Sequence, residues 1–405
     1  MRLIRSAAVF LAPVLLVVIL GARLSSAAAK DEKELRGSVD TIVKDAVANH
    51  HISSMVVAVL QNGKTVYQKA YGTDPLFPYA ENAPSNPYAI GPMTQVLTGV
   101  AVLSLVDEGK LSLDDPVSRY LPDLPETWRP ITIGQLLTHR SGLPAFPREA
   151  KSFAEAVEEA GKQPLRFRPG SVRSENSADY DVLGQVIEKV SGQKYLFFMD
   201  KTVFKQMKFG ATGDFSMLLF RFVKPHDFRF SDTMSTQGAV TTSSGASVGT
   251  LTEKGGYGNY DPEARARMVD LLSRGLPAYA IPSRGLASNL QDIERISSAI
   301  FATGGVRAFS GPDYLKLAPG WKGCDTGAET MLTAGGRATS GYGANVRLLP
   351  NRKVAVILLW KIDKGSDSSA LSEESQDILE TALSIPVSSW VCTEAETDED
   401  NSDPQ

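Results

Sequence analysis

Pro92-Met93-Thr94-Gln95 opens a buried helical run and sets the first chemical question of this 405-residue chain. The start of a helix gathers backbone N–H groups without intrahelical partners, so it favours a nucleophile and the negative charge that develops when one reacts. Proline is sterically welcome there, because its missing N–H would have had no intrahelical partner and its φ is already helical. Its ring brings no reactive group, and the carboxamide of Gln95 accepts no proton at neutral pH. Thr94 carries a hydroxyl but points about 200° around the helix from residue 92.

Other reactive side chains are sparse. His139, within "THRSGLP", has the chemistry of a general base, but a structural imidazole bonded to loop carbonyls is the expectation beside a helix stop at Gly142-Leu143-Pro144. Ser191-Gly192-Gln193-Lys194 has the spacing of a serine with a lysine helper. Its glycine and helix-ending position remove the shared helical face the pair would need, so the match reads as coincidence. No His-Glu-x-x-His, Lys-Thr-Gly or His-x-Gly string occurs. The two cysteines, Cys324 and Cys392, form no Cys/His cluster spaced for zinc, so neither a metal nor any other cofactor is expected. They are compatible with pairing in an exported chain and equally with separate burial.

The elements that must position these residues follow from periodicity. Leu35, Val39, Ile42, Val43 and Ala46 recur at helical spacing and predict an amphipathic helix over about Asp31 to Asn49. "SMVVAVLQNGKTVYQKAYG" reads as two strands turning at Asn62-Gly63, a pair that tolerates positive φ. "YGANVRLLPNRKVAVILLW" repeats the pattern with a turn at Pro350-Asn351 and an apolar strand from Val354 to Trp360, followed by a helix over about Leu371 to Leu383. Strands at both ends and a helix-rich middle predict one sheet completed by distant segments, with a helical lobe over about 90–225 inserted into it and a cleft where the lobes meet. Ser235 to Thr250, rich in Ser, Thr and Gly, reads as loops and weak strands.

Composition narrows the class. With 42% hydrophobic and 22% charged residues the chain can bury a full-sized core. A net charge of -4 with no basic block beyond the first residues gives no footprint for nucleic acid. Residues 1–29 order a basic head, an apolar run from Ala7 to Ala22 and the small residues Ala27-Ala28-Ala29, the pattern of a cleaved export signal. The alternative is retention as a membrane anchor, which is the one way a membrane becomes a partner. Residues 30–392 would then be the folded domain and 393–405 an acidic, disordered tail.

Several blocks, in order, resemble the serine β-lactamase and penicillin-binding D,D-peptidase superfamily, most closely its class C and esterase-like branch. They are "DEGKLSLDDPVSRYLPDLP" (Asp107 to Pro125), "ITIGQLLTHRSGLP" (Ile131 to Pro144), "ADYDVLGQVIEKVSGQKY" (Ala178 to Tyr195), "GLASNLQDIERISSAIFATGG" (Gly285 to Gly305) and the terminal hairpin. The resemblance implies an α/β (α+β) fold of the β-lactamase/transpeptidase type, an antiparallel sheet flanked by helices with an inserted mainly helical lobe. It also implies three catalytic motifs. The first, a serine with a lysine three residues on, falls on Pro92 and Gln95. The second falls on Ser174-Glu175-Asn176, where the asparagine is kept and Ser174 stands at the position of the usual tyrosine. The third, a Lys or His followed by x-Gly, falls on Thr333-Ala334-Gly335 or Ala334-Gly335-Gly336, with Arg337 as the nearby cation that either holds a carboxylate or faces water.

On this reading Pro92, Gln95, Ser174, Asn176, Ala334, Gly335 and Gly336 line a ligand pocket and no catalytic set remains. A pseudoenzyme that binds a small molecule or peptide is one expectation. A serine-type hydrolase with non-standard catalytic residues is the alternative, and a secreted interaction protein using its surface or tail is a third.

Overall fold

The computed structural model describes residues 32–74, 81–215, 239–241, 247–250, 276–302, 317–325, 329–338, 341–363, 370–383 and 391–392. In chain order the elements are helix α1 (Glu32–Asn49), strands β1 (Ile52–Gln61), β2 (Lys64–Gly72) and β3 (Tyr88–Ala89), then helices α2 (Thr94–Asp107), α3 (Ile133–Leu137), α4 (Phe153–Ala160), α5 (Ser177–Ser191) and α6 (Tyr195–Met199). Strands β4 (Gly213–Asp214), β5 (Ala239–Thr241) and β6 (Ser247–Thr250) follow, then α7 (Ile281–Arg284), β7 (Leu286–Ser288) and α8 (Leu290–Phe301). Strands β8 (Lys322–Asp325), β9 (Thr330–Arg337), β10 (Tyr342–Leu349) and β11 (Val354–Ile362), helix α9 (Ala370–Leu383) and strand β12 (Val391–Cys392) complete the chain.

Chain ends that lie far apart in sequence build one seven-stranded sheet, in the order β12-β8-β9-β10-β11-β1-β2. The almost continuous apolar runs of β1 and β11 are explained by cover on both faces. Along β1, Val56, Ala58 and Leu60 enter the core shared with α2 and α8, while Met55, Val57 and Val59 enter a second core with Leu35, Val39 and Val43 of α1 and Leu371, Ile378 and Leu379 of α9. The two-residue period of a strand sends alternate side chains to opposite faces, so both sets must be apolar. The hairpin between β1 and β2 turns at Asn62 and Gly63, with φ of 51° and 72°, the double positive pair of a type I′ turn.

Helix α2 is buried around its whole circumference over Thr94 to Val102, as a helix apolar on every side must be. It contacts α5 and α7 in the helical region, while the turn before it reaches β9. Close approach of the segment leading into β8 is possible because glycine stands at 99 and 320. A Cβ on Gly99 would lie 2.6 Å from the Pro319 ring, and one on Gly320, whose φ is +72°, would lie 2.4 Å from the Val96 amide nitrogen.

Cys324 is buried and disulfide-bonded, and the β8–β12 register sets Cys392 directly opposite it. That settles the open question of the two thiols in favour of pairing. The leader at 1–29, the tail at 393–405 and most of Ser235 to Thr250 lie outside the described residues; β5 and β6 are the short strands within the last of these.

One expectation needs correction. Helix α3 ends at Leu137, well before Gly142-Leu143-Pro144, and the left-handed residue that turns the chain away is His139 at φ 56°. Its start is well fixed: Thr132 Oγ1 accepts from Gln135 N–H at 3.2 Å, and Gln135 Oε1 accepts from Thr132 N–H at 3.0 Å, a reciprocal capping box. Thr132→Ala is expected to remove about 1 kcal/mol of stability, read as a lower urea midpoint with an unchanged slope.

Candidate functional site

The site grows from the turn in front of α2. Gly91–Met93 forms a single 3₁₀ turn that runs into the α-helix at Thr94, so Pro92 sits on that turn rather than at the first α-helical position the sequence suggests. Gly91 adopts φ 50°, and a Cβ there would meet the Arg337 carbonyl oxygen at 3.1 Å, which holds the turn against the end of β9. A Cβ on Gly336 would lie 3.4 Å from the Pro92 ring. First and third motif positions are therefore neighbours, with Ala334 and Gly336 sharing one face of β9 as residues two apart do. Gly335, at φ +129°, would drive a Cβ to 2.0 Å from the Ala344 carbonyl oxygen, so only glycine fits. The Arg337 side chain is exposed to solvent, the second of its two expected situations.

Behind this wall lies a buried polar chain. Gln95 is 8% exposed and its Oε1 lies 3.0 Å from His139 Nε2. His139 Nδ1 lies 2.9 Å from Asp179 Oδ2, and the Ser141 hydroxyl donates to Asp179 Oδ1. His139 therefore keeps the structural role expected of it, but its ring meets two side chains and the Asn176 backbone N–H, at 3.4 Å from Nδ1, rather than loop carbonyls. Burial pushes the Asp179 carboxyl up, opposed chiefly by the hydrogen bond to His139. Sequence reasoning passed over Ser141 and Asp179; an aspartate among the apolar residues of the helix's first turn was the available signal.

The second motif joins the same cluster through the backbone. Ser174 N–H donates to the His139 carbonyl at 2.9 Å, and Arg166 Nη2 donates to Ser174 Oγ at 3.0 Å. Asn176 is the N-cap of α5: its Oδ1 accepts from Ala178 N–H at 3.1 Å, while its Nδ2 donates to the Leu143 carbonyl at 2.7 Å. Both ends of that amide are committed to shaping the loop. Thr94 is fully buried and its hydroxyl oxygen accepts from Leu286 N–H at 3.2 Å.

The two stray motif matches resolve in the same way. Lys194 extends from the end of α5 to Glu188 at 3.3 Å, while Ser191 Oγ accepts from Gln193 N–H. A Gly-x-Ser-x-Gly string also occurs at Gly245 to Gly249, and its Ser247 is the first residue of β6, paired in a two-stranded sheet with β5. In a nucleophile elbow the serine sits on the turn between strand and helix, whereas Ser247 is paired with Thr241 within the ladder. Among the described residues no three His, Cys, Asp or Glu side chains converge as metal ligands.

Position 92 matters twice for acyl transfer. Proline lacks the hydroxyl that would attack, and it also lacks the N–H that would face an oxyanion above the helix start. Gln95, one turn on, replaces an amine with a neutral amide already held by His139.

A sheet completed by both chain ends, a buried helix and a glycine-rich strand against the turn in front of it define a β-lactamase-type protein. The Beta-lactamase family model matches residues 39–376, and the chain belongs to that family. It is 28% identical over 197 residues to Protein flp of Staphylococcus aureus strain MW2, covering 44% of this chain and 40% of that protein. It is 31% identical over 167 residues to the teichoic acid D-alanine hydrolase of Staphylococcus aureus, covering 40% of this chain and 42% of the relative. The chain thus spans less than half the length of these curated relatives. The octameric penicillin-binding protein homologue from Pyrococcus abyssi superposes with a TM-score of 0.64 at 19% identity, over 86% of this chain and 78% of the other. SurE with D-Leu superposes with a TM-score of 0.60 at 18% identity, over 87% and 77%. At those identities the superpositions speak for the fold.

Proposed function

We propose that this protein is a β-lactamase-family pseudoenzyme whose cleft binds a small molecule or peptide without acylation. The observation that carries the reading is the pair Pro92 and Gln95, which together remove the nucleophile, its proton acceptor and one oxyanion donor. Losing the nucleophile alone removes most of the rate of a concerted catalytic set, leaving only binding and polar stabilisation. The third motif position supports it, since Ala334-Gly335-Gly336 brings neither lysine nor histidine.

Intact-protein mass spectrometry after exposure to a fluorescent penicillin and to a fluorophosphonate is expected to show unmodified protein. A stoichiometric adduct mapped to any residue lining the cleft would overturn the proposal. The second reading, a hydrolase using other groups, draws on the preserved scaffold and on the relative named for teichoic acid D-alanine hydrolysis. Release of D-alanine from D-alanyl esters, abolished by Ser174→Ala, would establish it instead.

Export is part of the proposal. It is supported by the ordering of residues 1–29 and by the disulfide at Cys324, a bond that persists in oxidising compartments. Among the described residues no helix is long and apolar enough to cross a membrane.

A further inference from the structure

We infer that His139 is a positioning residue that fixes the Gln95 carboxamide as a hydrogen-bond donor to the cleft, so that the ligand of this site presents a carbonyl or carboxylate oxygen to Gln95 Nε2. The inference rests on the binding role proposed for the cleft and specifies the chemistry of what binds.

The argument is one of donors and acceptors. Asn176 N–H, which can only donate, lies 3.4 Å from His139 Nδ1 and marks that nitrogen as an acceptor; a neutral imidazole then carries its hydrogen on Nε2, where Gln95 Oε1 accepts it at 3.0 Å. Nδ1 also faces Asp179 Oδ2 at 2.9 Å, which places the proton between them on the carboxyl, and the remaining Asp179 oxygen accepts from Ser141. His139 is 2% exposed and Asp179 is fully buried, so this chain of contacts is shielded from water. A glutamine amide in solvent turns freely. Here a half-turn would set the N–H hydrogens of Gln95 against the N–H of His139, two donors face to face in a site that leaves neither another partner. The orientation is thereby locked, and the two Nε2 hydrogens are what the side chain has left to offer.

The surroundings give that donor its importance. Gln95 lies three residues from Pro92, on the same side of the helix start. Pro92 contributes an apolar ring and no N–H, and Gly336 beside it contributes no side chain. Asn176 has spent both ends of its amide on Leu143 and Ala178. Of the two motif amides, Gln95 is thus the one with a donor left to offer, at the position where an active relative would hold an amine.

Selective ¹⁵N-glutamine labelling of the full chain, with the Gln95 side-chain signal assigned by its loss in Gln95→Met, tests this directly. Three probes of similar size are titrated: acetate, acetamide and n-butylammonium. Acetate and acetamide are expected to shift the Gln95 amide saturably, and n-butylammonium to leave it in place. His139→Gln, which retains a donor to Oε1, should keep the response, whereas His139→Phe should weaken acetamide binding about tenfold, the loss expected for one ordering hydrogen bond. A signal that moves with n-butylammonium and not with acetamide would overturn the inference, as would no response to either acceptor. Should His139→Phe fail to fold, the wild-type probe series and His139→Gln decide it. These outcomes are separate from the acylation assay: an adduct there sinks the pseudoenzyme, and an inverted probe preference sinks only the donor assignment.

Discussion

Asp179→Ala is expected to lower the free energy of unfolding by about 2–6 kcal/mol, since two buried polar groups lose their partner at about 1–3 kcal/mol each. The size follows from what is stranded. His139 Nδ1 loses its partner at 2.9 Å, and the Ser141 hydroxyl loses the oxygen to which it donates. Both residues are at most 2% exposed, so water does not substitute without opening the loop between α3 and α5. Asp179→Asn discriminates between proton arrangements. Its amide can accept from Ser141 and donate to an unprotonated Nδ1, so it is expected to lose less than half as much as the alanine variant if the shared proton belongs to the carboxyl in the wild-type protein. Urea unfolding followed by circular dichroism gives both numbers. An alanine variant within about 1 kcal/mol of wild type, the scale of an ordinary surface change, would mean that the chain of contacts from Ser141 to Gln95 is not maintained in solution.

That network is also where sequence reading reached its limit. Signals carried within one element were legible. Helix α1 runs over Glu32–Asn49 against an expected Asp31 to Asn49, the Asn62-Gly63 turn has both positive φ values, and α5 ends at Gly192 with φ 68° as a left-handed cap. Each rests on residues within a few positions of one another. The partners of His139 do not: Gln95 is 44 residues upstream and Asp179 is 40 residues downstream, and no periodicity links them. The misplaced end of α3 has the same origin. A histidine at φ 56° is disfavoured by its Cβ, so local rules pass the stop on to Gly142; side-chain bonds from two other elements hold His139 there. At Asn176 the residue type was read correctly, but its use is decided by loop carbonyls that only the folded chain brings near. Pairing of Cys324 with Cys392 likewise depends on the placement of β12 beside β8.

Two residues further along α5, Asp181 makes stability depend on pH. It is 1% exposed, and neither carboxyl oxygen makes a well-formed hydrogen bond. Ser283 and Arg284 of α7 lie near enough to favour ionisation, yet burial dominates and pushes the group from an ordinary 3.8 up to about 7. The sign follows from proton counting. Between those two values the folded protein holds a proton on Asp181 that the unfolded chain has released, so folding is helped by low pH. The contribution is fully present below about pH 4 and is lost as pH rises through about 7. That displacement corresponds to about 4 kcal/mol across the window. Asp181→Asn replaces the carboxyl with a neutral amide of the same shape. Its stability relative to wild type is therefore expected to rise by up to about 4 kcal/mol between pH 4 and pH 7.5 and to level off above. Taking the difference cancels the opposite trend of carboxyls such as Asp40, which its hydrogen bonds to Lys44 and Lys69 hold well below the usual range, so that its own contribution is lost only in acid. Urea midpoints for both proteins at half-unit steps would show the divergence; parallel curves from pH 4 to 8 would mean that Asp181 is ionised in the native state and that α7 opens to let water reach it.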